Sequence, residues 1–136
     1  MKPIKIIECP RDAMQGIKPV SPTERKVLYL QSLLRVGFDT IDFGSFVSPK
    51  AIPQMQDTAE VLAQLDLSQT SSKLLAIIAN TKGAELAAVH KEIQYLGFPF
   101  SISENFQMRN THKTIAESLV TLSEILEIAD KSNKEV

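Results

Sequence analysis

An arginine and an aspartate stand side by side in residues 9–15, a segment that reads C-P-R-D-A-M-Q. The carboxylate of Asp12 could bind a hard divalent cation, because such cations prefer oxygen ligands. The guanidinium group of Arg11 could hold an oxyanion in a planar fork of hydrogen bonds. A solvated Arg–Asp pair that only shapes a turn would show the same two residues, and such surface pairs are common and weak. The dipeptide alone favours this structural interpretation.

A second carboxylate, Asp42, alternates with the apolar residues Ile41 and Phe43. Neighbouring side chains of a strand point to opposite faces, so we expect Asp42 to face away from those two residues. An inward carboxylate needs a partner, which Arg11 or a metal ion could provide. An aspartate on an edge strand that faces water is an equal alternative at this point.

Cys9 is the only cysteine of the chain, so no internal disulfide bond can form. A reducing compartment fits this best, and we expect the cytoplasm. A reactive thiol beside Arg11 is conceivable. A buried, inert cysteine is the more common situation and is the prediction here.

The composition is that of an ordinary globular domain, with 136 residues of which 43% are hydrophobic and 23% are charged. The net charge of −1 gives no electrostatic reason to expect nucleic acid or an anionic membrane as a partner. No apolar run reaches the length of a membrane span. We therefore expect one domain over residues 1–136, without nucleic-acid or membrane partners.

Hydrophobic periodicity predicts four strands, each followed by a helix. The predicted strands are residues 4–7, 38–43, 74–79 and 98–102. The first helix should have Ser21 as its N-cap and end near Gly37, and Asp57 should cap the second. The third helix should run from Asn80 to Gly97. The expected core face of the fourth helix consists of Ile115, Leu119, Leu122, Leu126 and Ala129.

Repeated strand–helix units imply an α/β fold with a parallel sheet and right-handed crossovers. Four units make a (β/α)4 half of a TIM (β/α)8 barrel. Neither a GxGxxG nor a GxxxxGK[ST] pattern follows a strand, which weakens a nucleotide-binding interpretation. Residues 133–136 stop where a fifth strand is expected, so the sequence predicts a chain truncated before that strand.

Reactive groups of parallel β/α sheets gather in the loops that follow the carboxyl ends of the strands. The four such loops should begin at Cys9, Gly44, Asn80 and Ser101. Each contains more polar residues than a turn requires. We therefore expect the functional side chains to face one mouth of the barrel.

At these loops the sequence resembles the hydroxymethylglutaryl-CoA lyase family of metal-dependent barrels. The family segments G-P-R-D-G-L-Q and T-S-F-V-S-P-K followed by V-P-Q-M match residues 9–15, 44–50 and 52–55. Its P-N-x-K-G and S-x-S-E-x-F segments, with a later asparagine, match residues 79–83, 101–106 and Asn110. No turn or packing rule demands F-V-S-P-K-x-x-P-Q-M. That block also distinguishes the chain from related isopropylmalate and homocitrate synthases.

The resemblance covers essentially the whole chain and implies the amino-terminal half of such a barrel. It implies metal-dependent retro-Claisen cleavage of 3-hydroxy-3-methylglutaryl-CoA to acetyl-CoA and acetoacetate, a step of leucine degradation. Asp12 would bind Mg²⁺ or Mn²⁺, and Arg11 would stabilise the enolate. The resemblance further implies a catalytic role for Asp42 and substrate binding by Arg11, Gln15, Ser45 and Asn110.

Three departures from the family pattern limit these expectations. Cys9 and Ala13 replace glycines, and Asp42 replaces a glutamate, which shortens the reach of that acid by about one methylene. The exact acyl-CoA is therefore open, and a lyase for another 3-hydroxyacyl-CoA is an alternative. The family's His-x-His ligands, metal-binding Asn and catalytic Cys belong to a carboxyl-terminal half that this sequence does not contain. We expect the chain alone to lack substantial activity.

A non-catalytic assembly module is the rival interpretation from another functional class. An open half-barrel would expose unpaired edges on its first and fourth strands. Such edges favour pairing with another copy, so the sequence predicts a homo-oligomer formed through the sheet edges.

Overall fold

The computed structural model describes residues 4–136 and shows four parallel strands that alternate with helices. The strands are β1 (Ile7–Glu8), β2 (Thr40–Ser45), β3 (Lys73–Ile77) and β4 (Ile93–Gly97). The helices are α1 (Pro10–Gln15), α2 (Thr23–Leu34), α3 (Thr58–Gln64), α4 (Thr81–Ala88), α5 (Glu104–Thr111) and α6 (Ile115–Lys131). A short 3-10 helix spans Pro53–Met55. The predicted (β/α)4 half-barrel is confirmed.

The strands form one sheet in the order β1-β2-β3-β4, with every neighbouring pair parallel. Ile7 pairs with Thr40, and Thr40 in turn pairs with Lys73. All four carboxyl ends therefore lie at one edge of the sheet, where ligand sites of this architecture gather. Among residues 4–136, no helix is long and apolar enough to cross a membrane.

The core lies between one face of the sheet and the helices. Its buried residues are Leu30, Leu34, Ile41, Phe43, Val61, Leu62, Leu74, Ala76, Ile78, Ala84, Ala87, Ile93, Leu96, Ile125 and Ala129. The strand members of this set alternate along β2 and β3, as expected when one face of each strand packs against helices. Burial of this apolar surface is the main favourable term for the fold.

The prediction for the third helix and the fourth strand is wrong. α4 ends at Ala88, and β4 occupies residues that the sequence analysis assigned to the helix. Ile93 and Leu96 have helical spacing, but both are buried and belong to the strand that pairs with β3. Pairing in the sheet outweighs the local pattern here. Gly97, predicted to end the helix, is the last residue of β4, where a Cβ atom would lie 2.6 Å from Ile77.

The predicted core face of the last helix is also wrong in part. Leu119 and Leu126 are each 49% exposed, whereas Ser118 and Ile125 are completely buried. The buried Ser118 accepts a hydrogen bond of 2.6 Å from Gln107, so α6 presents a small hydroxyl where α5 packs against it. The buried face of α6 therefore includes a polar contact with α5, and part of its apolar stripe is exposed.

Helix starts in the first half of the chain differ from the prediction in their capping. α2 begins at Thr23 after Pro22, and Ser21 makes no capping bond. Asp57 precedes α3 as predicted, but its side chain does not cap that helix. Gly37 has a φ of +86°, so the predicted left-handed residue after α2 is confirmed. Ser21 and Asp57 instead form hydrogen bonds with residues that are distant in the sequence.

The first strand and two of the loops also differ from expectation. β1 contains only two residues, and Ile7 is 53% exposed, so the predicted buried strand at residues 4–7 is wrong. The loop predicted after β1 is helix α1, and the one predicted to contain Asn110 is largely helix α5. Short helices thus carry residues that the sequence placed in irregular segments.

The outer edge of β4 is partly paired. Glu135 forms a parallel bridge with Tyr95, in which its carbonyl accepts from Leu96 N at 2.8 Å and its N–H donates to Gln94 O at 3.0 Å. The expectation of a free edge on the fourth strand is therefore wrong at this position. The contact also shows that the edge accepts a further strand segment in parallel orientation.

Candidate functional site

α1 positions the first group of candidate residues at the carboxyl end of β1. The helix begins with Pro10, whose fixed φ suits the first helical position. Pro10 and Met14 are its buried residues, so Arg11 and Gln15 lie on another side. These two residues are four apart, the spacing that brings side chains together on a helix surface.

Arg11 and Asp42 form a bidentate ion pair between α1 and β2. Arg11 Nη2 donates to Asp42 Oδ2 at 2.6 Å, and Arg11 Nε lies 3.2 and 3.1 Å from Oδ1 and Oδ2. The Asp42 side chain is only 5% exposed. Of the two alternatives left open for Asp42, the inward direction is the one observed, with Arg11 as its partner, and the water-facing alternative is wrong.

The third nitrogen of the guanidinium group faces the exposed side of the cluster. Arg11 Nη1 donates to Gln15 Oε1 at 2.8 Å and to Asp12 Oδ1 at 3.2 Å. Both acceptors belong to exposed residues. Asp42 therefore holds one edge of the guanidinium group, while the other edge meets groups that an incoming anion could replace.

Burial and pairing shift the pKa values in this cluster. Burial raises the pKa of Asp42 above its ordinary value, although its hydrogen bonds with Arg11 act in the opposite direction. For Arg11, burial lowers the pKa, but the hydrogen bond to Asp42 and its charge prevail, so the pKa is raised. Arg11 thus keeps its positive charge at any physiological pH.

Cys9 is exposed, so the prediction of a buried cysteine is wrong. Its pKa is nevertheless raised, first by desolvation and then by the negative charge of Asp42. A raised pKa leaves less of the reactive thiolate at neutral pH. The predicted inert character therefore agrees with the electrostatics, although for a different reason.

Asp12 is the metal ligand that the resemblance implies, and its carboxylate is accessible. Its side chain is 68% exposed, and its hydrogen bond with Arg11 uses Oδ1 alone. Within residues 4–136, no three His, Cys, Asp or Glu side chains come together as a metal site. Mg²⁺ commonly binds through one or two carboxylates, with water and substrate oxygens as its other ligands. The donor set present here fits such an ion as a single protein ligand.

The two remaining substrate-binding candidates do not join this cluster. Ser45 ends β2 and is buried, and its hydroxyl accepts from Val47 N at 3.1 Å. Asn110 lies on α5 and is exposed, and no hydrogen bond connects it with Arg11 among the residues that the structure describes. Their predicted roles stay predictions. Arg11, Asp12, Gln15 and Asp42 are the candidates that the fold brings into direct contact.

The departures from the family pattern are compatible with this geometry. Cys9 has a φ of −117°, an ordinary value that needs no glycine, and Ala13 lies within α1. The shorter acid Asp42 reaches Arg11 in spite of its missing methylene. The three substitutions therefore leave the pairing at this site intact.

Three polar residues near the site have roles that the sequence analysis missed, namely Lys26, Gln54 and Asp57. Lys26 is 3% exposed and pairs with Asp57 Oδ1 at 2.6 Å. Gln54 is 2% exposed and bonds with the segment that follows α1. One signal was available, because Lys26 lies four residues before the buried Leu30, on the inward face of α2.

Comparison with known proteins identifies a set of homologous enzymes, although no protein-family model matches the chain. The mitochondrial hydroxymethylglutaryl-CoA lyase of Gallus gallus is 38% identical over 130 residues, which are 93% of this chain and 42% of that protein. The 3-hydroxy-3-isohexenylglutaryl-CoA/hydroxy-methylglutaryl-CoA lyase of Pseudomonas aeruginosa is 34% identical over 129 residues, which are 94% of this chain and 42% of that protein.

A solved structure agrees with both sequence matches. The HMG-CoA lyase of Acinetobacter baumannii, in complex with coenzyme A and 3-methylmalate, superposes with a TM-score of 0.88 at 31% identity. The match covers 96% of this chain and 43% of that chain. The chain thus spans about two-fifths of the length of the relatives that it matches.

Proposed function

Because the chain is homologous to part of the hydroxymethylglutaryl-CoA lyases, we propose that it carries the arginine and one metal-binding carboxylate of a lyase-type active site. The observation that supports this most is the fork between Arg11 and Asp42, which leaves Arg11 Nη1 beside the exposed Asp12. We propose an acyl-CoA substrate, since the Acinetobacter relative holds coenzyme A and 3-methylmalate.

The proposed reaction breaks the C–C bond between the acyl-CoA α-carbon and the carbon that bears the hydroxyl group. A water molecule accepts the hydroxyl proton and later returns a proton to carbon, so no net proton is lost. The hydroxyl oxygen becomes the ketone of acetoacetate, and the electron pair of the broken bond moves to the acetyl fragment. That fragment is then an enolate with its charge on the thioester oxygen. Protonation of its carbon yields acetyl-CoA. The step is balanced and needs no oxidant.

Arg11 would stabilise that enolate. Arg11 Nη1 lies 2.8 Å from Gln15 Oε1. A thioester oxygen can replace Gln15 as the acceptor there without disturbing the fork between Arg11 and Asp42. Negative charge at this oxygen grows as the bond breaks, so the interaction favours the transition state over the ground state. We assign to Asp42 the positioning of Arg11, because it touches the guanidinium group and is itself buried.

Asp12 would hold a Mg²⁺ or Mn²⁺ ion through its exposed carboxylate. A bound divalent cation would act as a Lewis acid on the hydroxyl and carboxylate oxygens of the substrate. Asp12 neighbours Arg11 in sequence and shares a hydrogen bond with it, so substrate oxygens held at Asp12 would lie close to Nη1. The metal requirement and its identity belong to this proposal.

Binding of 3-methylmalate with coenzyme A tests the anion-binding role of Arg11. We expect the ligands to shift the NMR signals of Arg11 and Gln15 in the full chain, and we expect the shift at Gln15 to be lost in Arg11→Met. Arg25→Met is the matched control, because Arg25 is an exposed arginine on α2. Unchanged binding by Arg11→Met would refute the assignment.

We propose that the chain alone has no substantial lyase activity. Asp12 is one protein ligand, and further donors are normally needed to hold a catalytic cation firmly. Incubation of the purified chain with Mg²⁺ and 3-hydroxy-3-methylglutaryl-CoA should release no acetoacetate above the level of Arg11→Met. Turnover at an ordinary enzymatic rate of about 1–10³ s⁻¹ would contradict this proposal.

A related lyase for another 3-hydroxyacyl-CoA is the alternative within the same chemistry. The Pseudomonas relative is named for both a 3-isohexenyl and a 3-methyl substrate, so the homologues include a lyase of broader range. Competition between CoA esters with different substituents at C3 would rank them on this chain. Preferential binding of a longer substituent would favour the alternative.

A second function, self-assembly of half-barrels, has its own structural support. An open cavity of about 490 Å³ is lined by Ile7, Leu75 and Tyr95 of the strands, by Phe100, and by Leu122 of α6. We propose that a second copy covers it, because two copies together approach the length of the solved relatives. In such a pair, the cavity of one copy would face the cavity of the other.

Light scattering coupled to size exclusion tests this assembly. The proposal predicts a dimer that Ile7→Lys dissociates, since Ile7 lies at the β1 edge and in the cavity wall. Val120→Lys is the control, because Val120 is similarly exposed but lies on α6, away from the cavity wall. A wild-type monomer, or a dimer that resists Ile7→Lys, would exclude this arrangement. Cytoplasmic location and a place in leucine degradation stay predictions.

A further inference from the structure

Gln54 lies in the 3-10 helix and is only 2% exposed. Its side chain nevertheless ends in a polar amide group, with one oxygen acceptor and one nitrogen donor. A buried amide costs free energy unless its donors and acceptor find partners. The hydrogen-bond partners of the Gln54 side chain all belong to α1 and the segment that follows it, which lie at least 33 residues earlier in the chain. Gln54 therefore connects the second β/α unit with the first.

The two ends of the amide hold different points of that segment. Gln54 Nε2 lies 3.3 Å from the carbonyl oxygens of Met14 and Ile17 and donates to both. Gln54 Oε1 accepts from the backbone N–H of Ser21 at 2.7 Å. One side chain thus fixes the carboxyl end of α1 and the turn that leads away from it.

α1 depends on such contacts because it has only six residues. Isolated helices of that length are unstable in water, and the last carbonyl groups of any helix lack partners within it. Gln54 adds a side-chain donor at the Met14 carbonyl oxygen, which also accepts from the backbone N–H groups of Gly16 and Ile17. Met14 lies three residues after Arg11. A shift of α1 would move Arg11 relative to Asp42, which is anchored in the sheet by β2.

The backbone of Gln54 is held in its own turn by a charged pair. Lys26 Nζ donates to the main-chain oxygen of Gln54 and to Asp57 Oδ1, and Thr23 Oγ1 donates to Asp57 Oδ2 at 2.7 Å. These contacts join α2 to the 3-10 helix and the start of α3. The main chain of Gln54 is therefore held by α2 and the start of α3, independently of the bonds that its side-chain amide makes with the segment after α1.

We propose that Gln54 is a positioning residue, which acts through α1 to keep the guanidinium group of Arg11 in its fork with Asp42. This rests on the proposed function for the role of Arg11 in catalysis. The geometric coupling between Gln54 and Arg11 does not depend on any substrate. A purely space-filling role would be met equally by an apolar side chain of the same length.

Gln54→Met tests the coupling, because methionine fills nearly the same volume without hydrogen-bonding groups. Gln56→Met is the matched control, since Gln56 is an exposed glutamine two residues later. The readout is hydrogen exchange at Arg11 Nε, which Asp42 protects in the fork. We expect exchange to become about tenfold faster in Gln54→Met, through the loss of buried hydrogen bonds, and to stay unchanged in Gln56→Met.

Two outcomes would overturn the proposal. One is unchanged exchange at Arg11 Nε in a folded Gln54→Met, which would leave Gln54 a packing residue. The other is equal acceleration in both variants. Because no substrate is present in this experiment, its result is independent of whether coenzyme A and 3-methylmalate bind.

Wild-type protein provides the same test if Gln54→Met does not fold. Native-state hydrogen exchange in low urea can follow the Ser21 N–H, which Gln54 protects, together with Arg11 Nε. The proposal predicts that both open in one event, while the amides of β2 stay closed. Exchange at Arg11 Nε that begins at a lower urea concentration than exchange at the Ser21 N–H would refute the coupling.

Discussion

Both halves of the chain contribute to one apolar core, but they differ in the ion pairs that connect their elements. Buried ion pairs connect the elements of the first half, Arg11 with Asp42 and Lys26 with Asp57. Residues 69–136 contain no salt bridge, and β3, β4, α4 and α6 pack mainly through apolar side chains. Charged pairs fix directions and distances, whereas apolar packing supplies stability without orientation. The proposed chemistry lies in the half that is geometrically fixed.

The largest expected effect is the loss of the buried cation of the first half. Lys26→Met removes the donor to Asp57 Oδ1 and to the main-chain oxygen of Gln54, and only Thr23 then donates to Asp57. Removing one partner of a buried pair should lower the free energy of unfolding by about 3–5 kcal/mol. Urea denaturation measures this. Arg25→Met, an exposed neighbour on the same helix, should change stability by less than about 0.5 kcal/mol, and equal effects would remove the distinction.

The second half should respond to lost volume instead of lost charge. Ile125 on α6 is completely buried, so Ile125→Ala should reduce the free energy of unfolding by about 2–5 kcal/mol through a cavity. Leu126→Ala should cost much less, because Leu126 is 49% exposed. The same urea experiment compares the two. A larger effect at Leu126 would mean that the outward leucines of α6 are covered in solution.

A smaller difference should separate the two aspartates that contact Arg11. Asp42→Asn weakens the fork and leaves polar groups of a 5% exposed site imperfectly paired, so we expect a loss of about 1–3 kcal/mol. Asp12→Asn should stay within about 0.5 kcal/mol, because the Asp12 side chain is 68% exposed. Equal losses would show that Asp12 also has a structural role.

The smallest expected effect is a difference in titration between two carboxyl groups. Burial raises the pKa of Asp42, whereas hydrogen bonds from Ser68 lower that of the exposed Asp66. Because its pKa is raised, the Asp42 carboxyl group binds its proton more tightly in the folded state than in the unfolded state. The protonated carboxyl group therefore adds its full contribution to stability below the unfolded pKa, and this contribution is lost as the pH rises through the folded pKa. Carboxyl ¹³C NMR should show Asp42 titrating at higher pH than Asp66. The reverse order would mean that Arg11 outweighs burial.

Much of the fold follows from patterns that the sequence displays directly. The alternation around Asp42 predicted that it faces away from Ile41 and Phe43 but left an inward and a water-facing position equally open, and Gly37 predicted the left-handed residue after α2. Both are local effects, in which one residue and its neighbours determine the conformation. The parallel (β/α)4 order likewise follows from repeated strand–helix units.

The errors concern residues whose position depends on distant partners. Ile93 and Leu96 have the spacing of a helix, and only pairing with β3 makes them a strand. Ser118 lies on the buried face of α6, where its hydroxyl accepts a hydrogen bond from Gln107. Hydrophobic periodicity does not reveal such a polar partner. The partners of Gln54 are main-chain groups near α1, and main-chain groups leave no mark in a sequence.

The proposed role of Asp12 as a metal ligand beside Arg11 can be tested most directly with Mn²⁺. Its unpaired electrons broaden the NMR signals of nearby nuclei, so titration of the chain in the presence of 3-methylmalate locates the ion. We predict that broadening begins at the amides of α1 around Asp12, disappears in Asp12→Asn, and persists in the control Asp130→Asn at an exposed site on α6. Broadening centred elsewhere, or unchanged in Asp12→Asn, would contradict the proposed site.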